Sequence, residues 1–177
     1  RVFGNLAREF DGAYSLVFLN AEGDLVVARD PRGVKPLCYG IKHDLFGAAS
    51  ESTALTNLGF KDVFSLQPGC LILVNGEGIS IRRFADAPRR SACFFEWVYF
   101  ANAGSTIDGC SVYFARNRLG KILADIETVP KDDDLIVVPV PDTAKAAADG
   151  MGYHLGLPVL EGLLRNRYIG RTFIKGE

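Results

Sequence analysis

The sequence predicts a mixed fold, α+β in its first half and α/β in its second half, from three observations. Up to residue 86, short β-forming runs alternate with turn residues, a pattern typical of antiparallel hairpins in half of a sheet sandwich. After residue 90, helical periodicity alternates with short apolar runs, a pattern typical of βαβ units. A polar, proline-containing segment, DAPRRS at residues 86–91, separates the two patterns. We therefore divide the chain into two domain parts, residues 1–88 and 89–177.

Composition places the chain among ordinary globular proteins and excludes several functions. Its 177 residues are 48% hydrophobic and 23% charged, which suffices for one good core or two partial cores. The formal net charge of -1 gives no general attraction to nucleic acid or to membranes. No apolar run reaches the roughly 18 residues that span a bilayer. Four cysteines without paired spacing indicate a reducing, cytoplasmic setting. Basic residues cluster only at positions 82–83 and 89–90 and near the end of the sequence.

The first 88 residues predict three β-hairpins and one short helix. The paired strands are expected at residues 12–19 and 25–28, 37–41 and 45–49, and 71–74 and 79–84. The last pair flanks the sequence NGEG, which favours a tight turn. Residues 52–58 predict a helix with Ser50 or Ser52 as its N-cap and Gly59 as its stop.

Beyond residue 90, the pattern predicts an amphipathic helix followed by a βαβ unit. Residues 111–127 carry apolar side chains at helical spacing, which predicts one buried face. That face consists of Val112, Ala115, Leu119, Ile122, Leu123 and Ile126. The continuous apolar run at residues 135–140 predicts a buried strand. A helix over residues 143–155, ended by Gly156, and a strand from residue 158 complete the unit.

The turn between the first strand of this unit and its helix is one candidate binding site. It reads VPVPDTAK at residues 138–145. Ligands of open α/β sheets bind beyond the carboxyl ends of strands, and unpaired N–H groups at a helix start attract anions. Asp142 or Thr143 is expected to cap the helix, and Lys145 adds a positive charge. The alternative is a capped turn that binds no ligand, and such turns are common.

The end of the sequence is a second candidate site. Arg165, Arg167, Arg171 and Lys175 surround Gly170, a pattern that suits a polyphosphate ligand. The same segment carries bulky apolar residues, which a segment that closes over a ligand would explain. A solvated, arginine-rich loop is the alternative.

Segments spread along the whole chain resemble motifs of the amidophosphoribosyltransferase family, in the order of that family. Three of them resemble the second half of its glutaminase domain, namely GAYSL at 12–16, RDPRGVKPL at 29–37 and ASES at 49–52. CFFEWVYFA at 93–101 and SVYFAR at 111–116 resemble the junction and the helix start after it. VPVPDT at 138–143 resembles the pyrophosphate-loop strand, and NRYIGRTFI at 166–174 resembles the flexible loop.

This resemblance implies an enzyme with two sites. An N-terminal-nucleophile (class II) glutaminase sandwich would release ammonia from glutamine, and a type I phosphoribosyltransferase α/β domain would pass it to phosphoribosyl pyrophosphate (PRPP). The product would be 5-phosphoribosylamine, in the first step of purine synthesis, with Mg²⁺ bridging the diphosphate. Residues 1–88 would be the C-terminal part of the first domain, and residues 89–177 the N-terminal part of the second. The resemblance also implies a cytoplasmic homo-oligomer that binds neither nucleic acid nor membranes.

The resemblance assigns site residues in both candidate segments. The PRPP and pyrophosphate site would comprise Asp142, Thr143, Ala144, Lys145, Arg165, Arg167, Tyr168 and Arg171. Thr143 would offer its hydroxyl to Mg²⁺, because Ala144 stands where some relatives have a metal-contacting serine. Cys93 stands where one branch of the family ligates a [4Fe–4S] cluster, and a buried apolar thiol is the alternative. The other cysteines, Cys38, Cys70 and Cys110, are expected in the core.

The chain departs from the family pattern in three places. Residues 102–105 read NAGS where relatives usually have Arg-Pro-Asp-Ser. The glutaminase nucleophile of the family is an N-terminal cysteine, whereas this sequence begins with Arg1. The acidic PRPP-binding strand motif is absent. We therefore expect an internal part of the enzyme that is inactive alone in both reactions.

Two other classes of protein stay open on the sequence. A PRPP-sensing regulator that reuses the phosphoribosyltransferase fold would pair it with a winged-helix domain, which the hairpin-rich first part does not resemble. A glutaminase-like protein with a role only in assembly would not need the cationic end of the sequence.

Overall fold

The computed structural model describes residues 2–130, 132 and 134–170, and the chain forms two compact units. The first unit runs to Val112, and the second begins at Tyr113. The division into family domain parts at residues 88 and 89 stays a prediction. The first unit contains, in chain order, α1 (Val2–Glu9), β1 (Ser15–Leu19), β2 (Leu25–Arg29), β3 (Cys38–Lys42), β4 (Leu45–Ala49), α2 (Ser52–Asn57), β5 (Val63–Ser65), β6 (Cys70–Asn75), β7 (Gly78–Arg83), a π-helical turn (Glu96–Phe100), β8 (Thr106–Ile107) and β9 (Cys110–Ser111).

Two antiparallel sheets form the body of the first unit. One has the strand order β1-β2-β6-β7 and the other the order β4-β3-β5. The three predicted hairpins are confirmed as β1–β2, β3–β4 and β6–β7. The sequence did not predict α1, which has 8 residues, or β5, which has 3, because such short elements offer little periodicity.

Apolar side chains between the two sheets form the main core. Val27 and Ile72 from the first sheet are fully buried and belong to one cluster with Leu37 and Leu66, which flank strands of the second sheet. Tyr39 of β3 packs against this cluster. Alternate strand residues therefore fill the space between two sheets, as in a sandwich.

The cysteines of the first unit differ in burial. Cys38 and Cys70 are buried, as predicted, and burial raises the pKa of the Cys38 thiol to about 11. Cys110 is exposed, so its assignment to the core is wrong. It lies in β9, whose two-residue pairing with β8 is too short to cover both of its faces.

A buried ion pair connects the sandwich with the residues that follow β7. The guanidinium of Arg29, which is 1% exposed, donates hydrogen bonds of 2.8 and 2.9 Å to the two carboxylate oxygens of Asp108. Arg90 contacts the same carboxylate. The remaining Arg29 donors bond to backbone carbonyls of Leu66 and of the loop after β2. A buried charge is tolerated here because it is paired and hydrogen-bonded.

Residues at the start of α2 hold the segment that follows the π-helical turn. The Glu51 carboxylate accepts hydrogen bonds from the Asn102 N–H (2.7 Å) and the Ser105 hydroxyl (2.9 Å). The Ser52 hydroxyl accepts an N–H from β8. The prediction that Ser50 or Ser52 caps α2 is wrong, because the N-cap residue is Glu51 and no side chain caps the helix.

The second unit is built on two helices and a parallel strand contact. Helix α3 spans Val112–Ile126 and α4 spans Lys145–Leu155. Val137 and Val159 form a parallel bridge, supported by backbone hydrogen bonds of 2.9 and 3.0 Å. Gly156, in the left-handed region at φ 70, ends α4 as predicted. The predicted βαβ order is therefore present, with a single bridge in place of longer strand pairing among the described residues.

The buried face of α3 differs from the predicted one. Ile122 and Ile126, expected in the core, are 50% and 69% exposed. Arg116, Gly120 and Ala124 are buried instead, at steps of four residues. A glycine at the centre of this face lets the backbone of α4 approach closely. None of the helices in the described ranges is long and apolar enough to cross a membrane.

Candidate functional site

Side chains from two separate segments line one cavity in the second unit. The cavity has a volume of about 370 Å³ and lies between the turn that precedes α4 and the residues that follow the Val159 bridge. Five residues that the sequence assigned to the PRPP site line it, namely Asp142, Lys145, Arg165, Arg167 and Tyr168. The two candidate segments of the sequence are therefore parts of the same site.

The parallel bridge explains why these segments meet. The chain segments through Val137 and Val159 are parallel, so the residues that follow each of them lie at the same edge of the sheet. Gly162 brings the second segment against the first, since a Cβ atom there would lie 3.0 Å from Val138 Cγ1. The parallel bridge and the close contact of Gly162 with Val138 thus fix the position of the cavity.

The charges that line the cavity are partly paired. Lys145 Nζ lies 2.5 Å from Glu161 Oε1, and Arg165 Nη1 lies 3.4 Å from Asp142 Oδ2. The hydrogen bond with Glu161 raises the pKa of Lys145, which keeps this side chain a cation. Arg167 forms no ion pair with any carboxylate in the described part of the chain. The lining therefore carries three cations against two carboxylates and can attract an anion.

Two other residues assigned to the PRPP site, Thr143 and Ala144, do not line the cavity. Both are half-buried in the turn before α4. The N-cap of α4 is Ala144 without a side-chain cap, so the predicted capping by Asp142 or Thr143 is wrong. The Asp142 carboxylate contacts Arg165 instead. Arg171 lies outside the described residues.

Sequence reasoning missed two polar residues of the site. Glu161 follows the second bridged strand directly, so its place at a strand end could have indicated it. Asn166 accepts a hydrogen bond of 2.9 Å from the backbone N–H of Tyr168 through its side-chain oxygen. This turn presents Arg167 and Tyr168 toward the cavity that they line.

The described residues bear on the two predicted metal groups, an iron–sulfur cluster at Cys93 and Mg²⁺ at the PRPP site. In the described ranges, no group of three or more His, Cys, Asp or Glu side chains could hold a metal ion. Cys93 is half-buried, and its N–H donates to the Val34 carbonyl at 2.9 Å. The described residues do not by themselves supply the four ligands that a cluster needs, so the assignment of Cys93 to an iron–sulfur cluster stays a prediction. Mg²⁺ needs fewer protein ligands, because substrate phosphates and water complete its shell.

Comparison with known proteins first defines a class. The glutamine amidotransferase domain family matches residues 2–57, which include α1 and the first two hairpins.

Relatives that match nearly the whole chain identify a narrower family. The chain is 39% identical over 164 residues to the amidophosphoribosyltransferase of Bacillus subtilis, covering 93% of this chain and 34% of that protein. It is 41% identical over 163 residues to that of Archaeoglobus fulgidus, covering 92% of this chain and 35% of that protein. The structure of the B. subtilis glutamine PRPP amidotransferase complexed with ADP and GMP superposes with a TM-score of 0.87 at 37% identity, over 98% of this chain and 37% of that one.

The predicted resemblance to the amidophosphoribosyltransferase family is therefore confirmed along nearly the whole chain, together with a mixed α/β fold. The chain spans about a third of the length of these relatives. That coverage agrees with the prediction that the sequence corresponds to a part of the enzyme.

Proposed function

We propose that the chain is part of an amidophosphoribosyltransferase, which transfers ammonia from glutamine to PRPP, forms 5-phosphoribosylamine, and releases glutamate and pyrophosphate. One observation carries the proposal: a single cavity is lined by five residues that the resemblance assigns to the PRPP site, namely Asp142, Lys145, Arg165, Arg167 and Tyr168. In this proposal, residues 1–88 are the C-terminal part of an N-terminal-nucleophile glutaminase domain. Residues 89–177 are the N-terminal part of a type I phosphoribosyltransferase domain, and the complete protein is a cytoplasmic homo-oligomer.

The cavity is proposed to bind the diphosphate of PRPP. When ammonia attacks C1 of the ribose, the C1–oxygen bond breaks and the electron pair leaves with pyrophosphate. Cations fixed beside the leaving oxygen stabilise the charge that develops there. Lys145 and Arg167 supply such cations, and Tyr168 would help to exclude water, which competes with ammonia.

The two carboxylates in the cavity make diphosphate binding an exchange. A diphosphate competes with Glu161 for Lys145 and with Asp142 for Arg165, although each cation keeps further N–H donors outside its ion pair. A carboxylate that is displaced then needs another partner. Mg²⁺ bound to the diphosphate would supply one, with the Asp142 carboxylate of the cavity lining as an oxygen donor; the Thr143 hydroxyl, in the same turn but outside the lining, stays a proposed second donor.

Calorimetric titration of the 177-residue chain with PRPP and Mg²⁺ tests the proposal. The substitution Arg167→Gln should weaken binding about tenfold, because it removes a charge-assisted hydrogen bond from a cation that no described carboxylate neutralises. Arg118→Gln is the matched control, since Arg118 is an exposed arginine of α3 outside the cavity. Equal affinities of the two variants would refute the assignment of the cavity. The chain alone should release no ammonia from glutamine.

A further inference from the structure

A second cavity, in the first unit, is lined by arginine residues that the proposed function does not use. It has a volume of about 960 Å³ and lies between α1, the turn after β2 and the chain that leaves β7. Four arginines line it, namely Arg8, Arg32, Arg83 and Arg89, and Asp86 is the acidic residue among the lining. Two of these arginines belong to the local basic cluster at positions 82–90 of the sequence.

The neighbouring basic residues show what is unusual about these four. Arg29 and Arg90 share the Asp108 carboxylate, so their charges are neutralised inside the protein. None of the four cavity arginines forms an ion pair with a carboxylate in the part of the chain that the structure describes. Arg83 makes one hydrogen bond, of 3.3 Å, to the Pro68 carbonyl. The cavity therefore concentrates four positive charges beside one carboxylate, and no ion pair among the described residues neutralises them.

Two of the three walls, the turn after β2 and the chain that leaves β7, are anchored by hydrogen bonds. The Arg32 N–H donates to the Asp30 carboxylate at 2.8 Å, and the Arg32 carbonyl accepts the Ser91 N–H at 2.9 Å. On the opposite wall, the N–H of Phe84, directly after β7, donates to the Gly69 carbonyl at 2.9 Å. Because the backbone is fixed at these points, an incoming ligand would order side chains rather than rebuild loops, which lowers the cost of binding.

We propose that this cavity binds a small molecule that carries a diphosphate group. Guanidinium groups pair with phosphate oxygens through two parallel hydrogen bonds, and four of them on three walls match a group with several charged oxygens. The volume lies in the range of small-molecule sites. A long nucleic acid is disfavoured, because the positive charge is confined to this concavity on a chain of net charge -1.

The test measures binding of inorganic pyrophosphate by calorimetry, without Mg²⁺ and at two salt concentrations. The full chain carries Arg165→Gln and Arg167→Gln in every sample, so that the cavity in the second unit does not contribute. On this background, Arg8→Gln combined with Arg89→Gln should weaken binding about tenfold or more, since each substitution removes a charge-assisted hydrogen bond. Both side chains are exposed, so thermal unfolding should be unchanged.

Arg82→Gln is the matched control on the same background. Arg82 is adjacent to Arg83 on β7, does not line this cavity, and points to the other face of the strand. It should leave the affinity within about twofold, given the usual size of surface charge effects. An equal loss in Arg82→Gln and in the double variant, or no loss in the double variant, would overturn the proposal.

Further ligands distinguish the sources of the diphosphate. ADP that binds at least as tightly as pyrophosphate would support a nucleotide as the occupant, whereas pyrophosphate that binds more tightly would support the inorganic group or a sugar diphosphate. Inorganic phosphate that binds as tightly as pyrophosphate would refute the diphosphate assignment.

Discussion

Replacing Asp108 with alanine should destabilise the first unit. The burial of its ion pairs determines how much free energy of unfolding is lost. The Asp108 side chain is 7% exposed and bridges Arg29, which is 1% exposed, and Arg90, which is 48% exposed. Without it, Arg29 keeps its bonds to backbone carbonyls but loses its counterion in a buried position. Removal of one partner from a buried pair costs about 3–5 kcal/mol. The half-exposed Arg90 adds at most about 1 kcal/mol.

Urea unfolding monitored by tryptophan fluorescence measures this loss of stability with a probe that lies in the first unit. The chain has one tryptophan, Trp97, which packs against the buried cluster of Ala101, Ile107 and Val112. With a typical denaturant slope of about 2 kcal/mol per molar urea, the midpoint should fall by about 2 M. Asp44→Ala, at an exposed turn position, is the control and should change the free energy of unfolding by less than about 0.5 kcal/mol.

A double-mutant cycle separates the ion pair from packing effects. Arg29→Met combined with Asp108→Ala should cost less than the sum of the two single changes, because no unpaired charge stays buried in the double variant. A loss below about 1 kcal/mol in Asp108→Ala, or strict additivity in the cycle, would show that Arg29 does not depend on this carboxylate.

Two further predictions follow from the same structure. Burial alone would raise the pKa of Asp108, but the hydrogen bonds and charges of Arg29 and Arg90 outweigh it and hold this pKa below its ordinary value. The stabilisation is therefore complete above the unfolded value of about 3.9 and is lost as the pH falls through the lower folded value; urea midpoints of the wild type and Asp108→Asn should differ equally at pH 7 and 5 and converge in strong acid. In the second unit, Gly120→Ala should cost about 1–3 kcal/mol or more, because its Cβ would lie 1.8 Å from the Ala147 carbonyl oxygen; thermal unfolding followed by circular dichroism measures this, with Gly76→Ala, whose Cβ would meet nothing within 4 Å, as the control.

The three hairpins and the helices α2, α3 and α4 could be predicted because their signals are local. Alternating apolar residues and turn residues within ten or so positions determine a strand pair, and the structure has the expected pairs at β1–β2, β3–β4 and β6–β7. The buried face of α3 could not be predicted in the same way. Its apolar stripe indicated one face, whereas close contact with α4 requires the face that carries Gly120, since only a residue without a side chain fits there.

The N-caps of α2 and α4 were predicted wrongly for a related reason. Sequence rules assign polar residues at a helix start to its free N–H groups. Glu51, Ser52 and Asp142 occupy such positions, but each uses its side chain for a contact distant in sequence, with residues 102–106 or with Arg165. A local rule cannot weigh a tertiary partner that the sequence does not reveal.

The two cavities differ in how well the sequence could indicate them. The family resemblance grouped Lys145 and Arg167 in advance, and the parallel bridge supplies the physical reason that they line one cavity, because residues that follow parallel strands lie at the same sheet edge. The arginine-lined cavity of the first unit is formed by α1, a turn after β2 and the end of β7, which no single motif relates. Arg8 and Arg89 are far apart in sequence and neither belongs to a recognised motif, so only the folded chain brings their charges together. The loss of pyrophosphate binding in their double variant therefore tests a property of the tertiary structure itself.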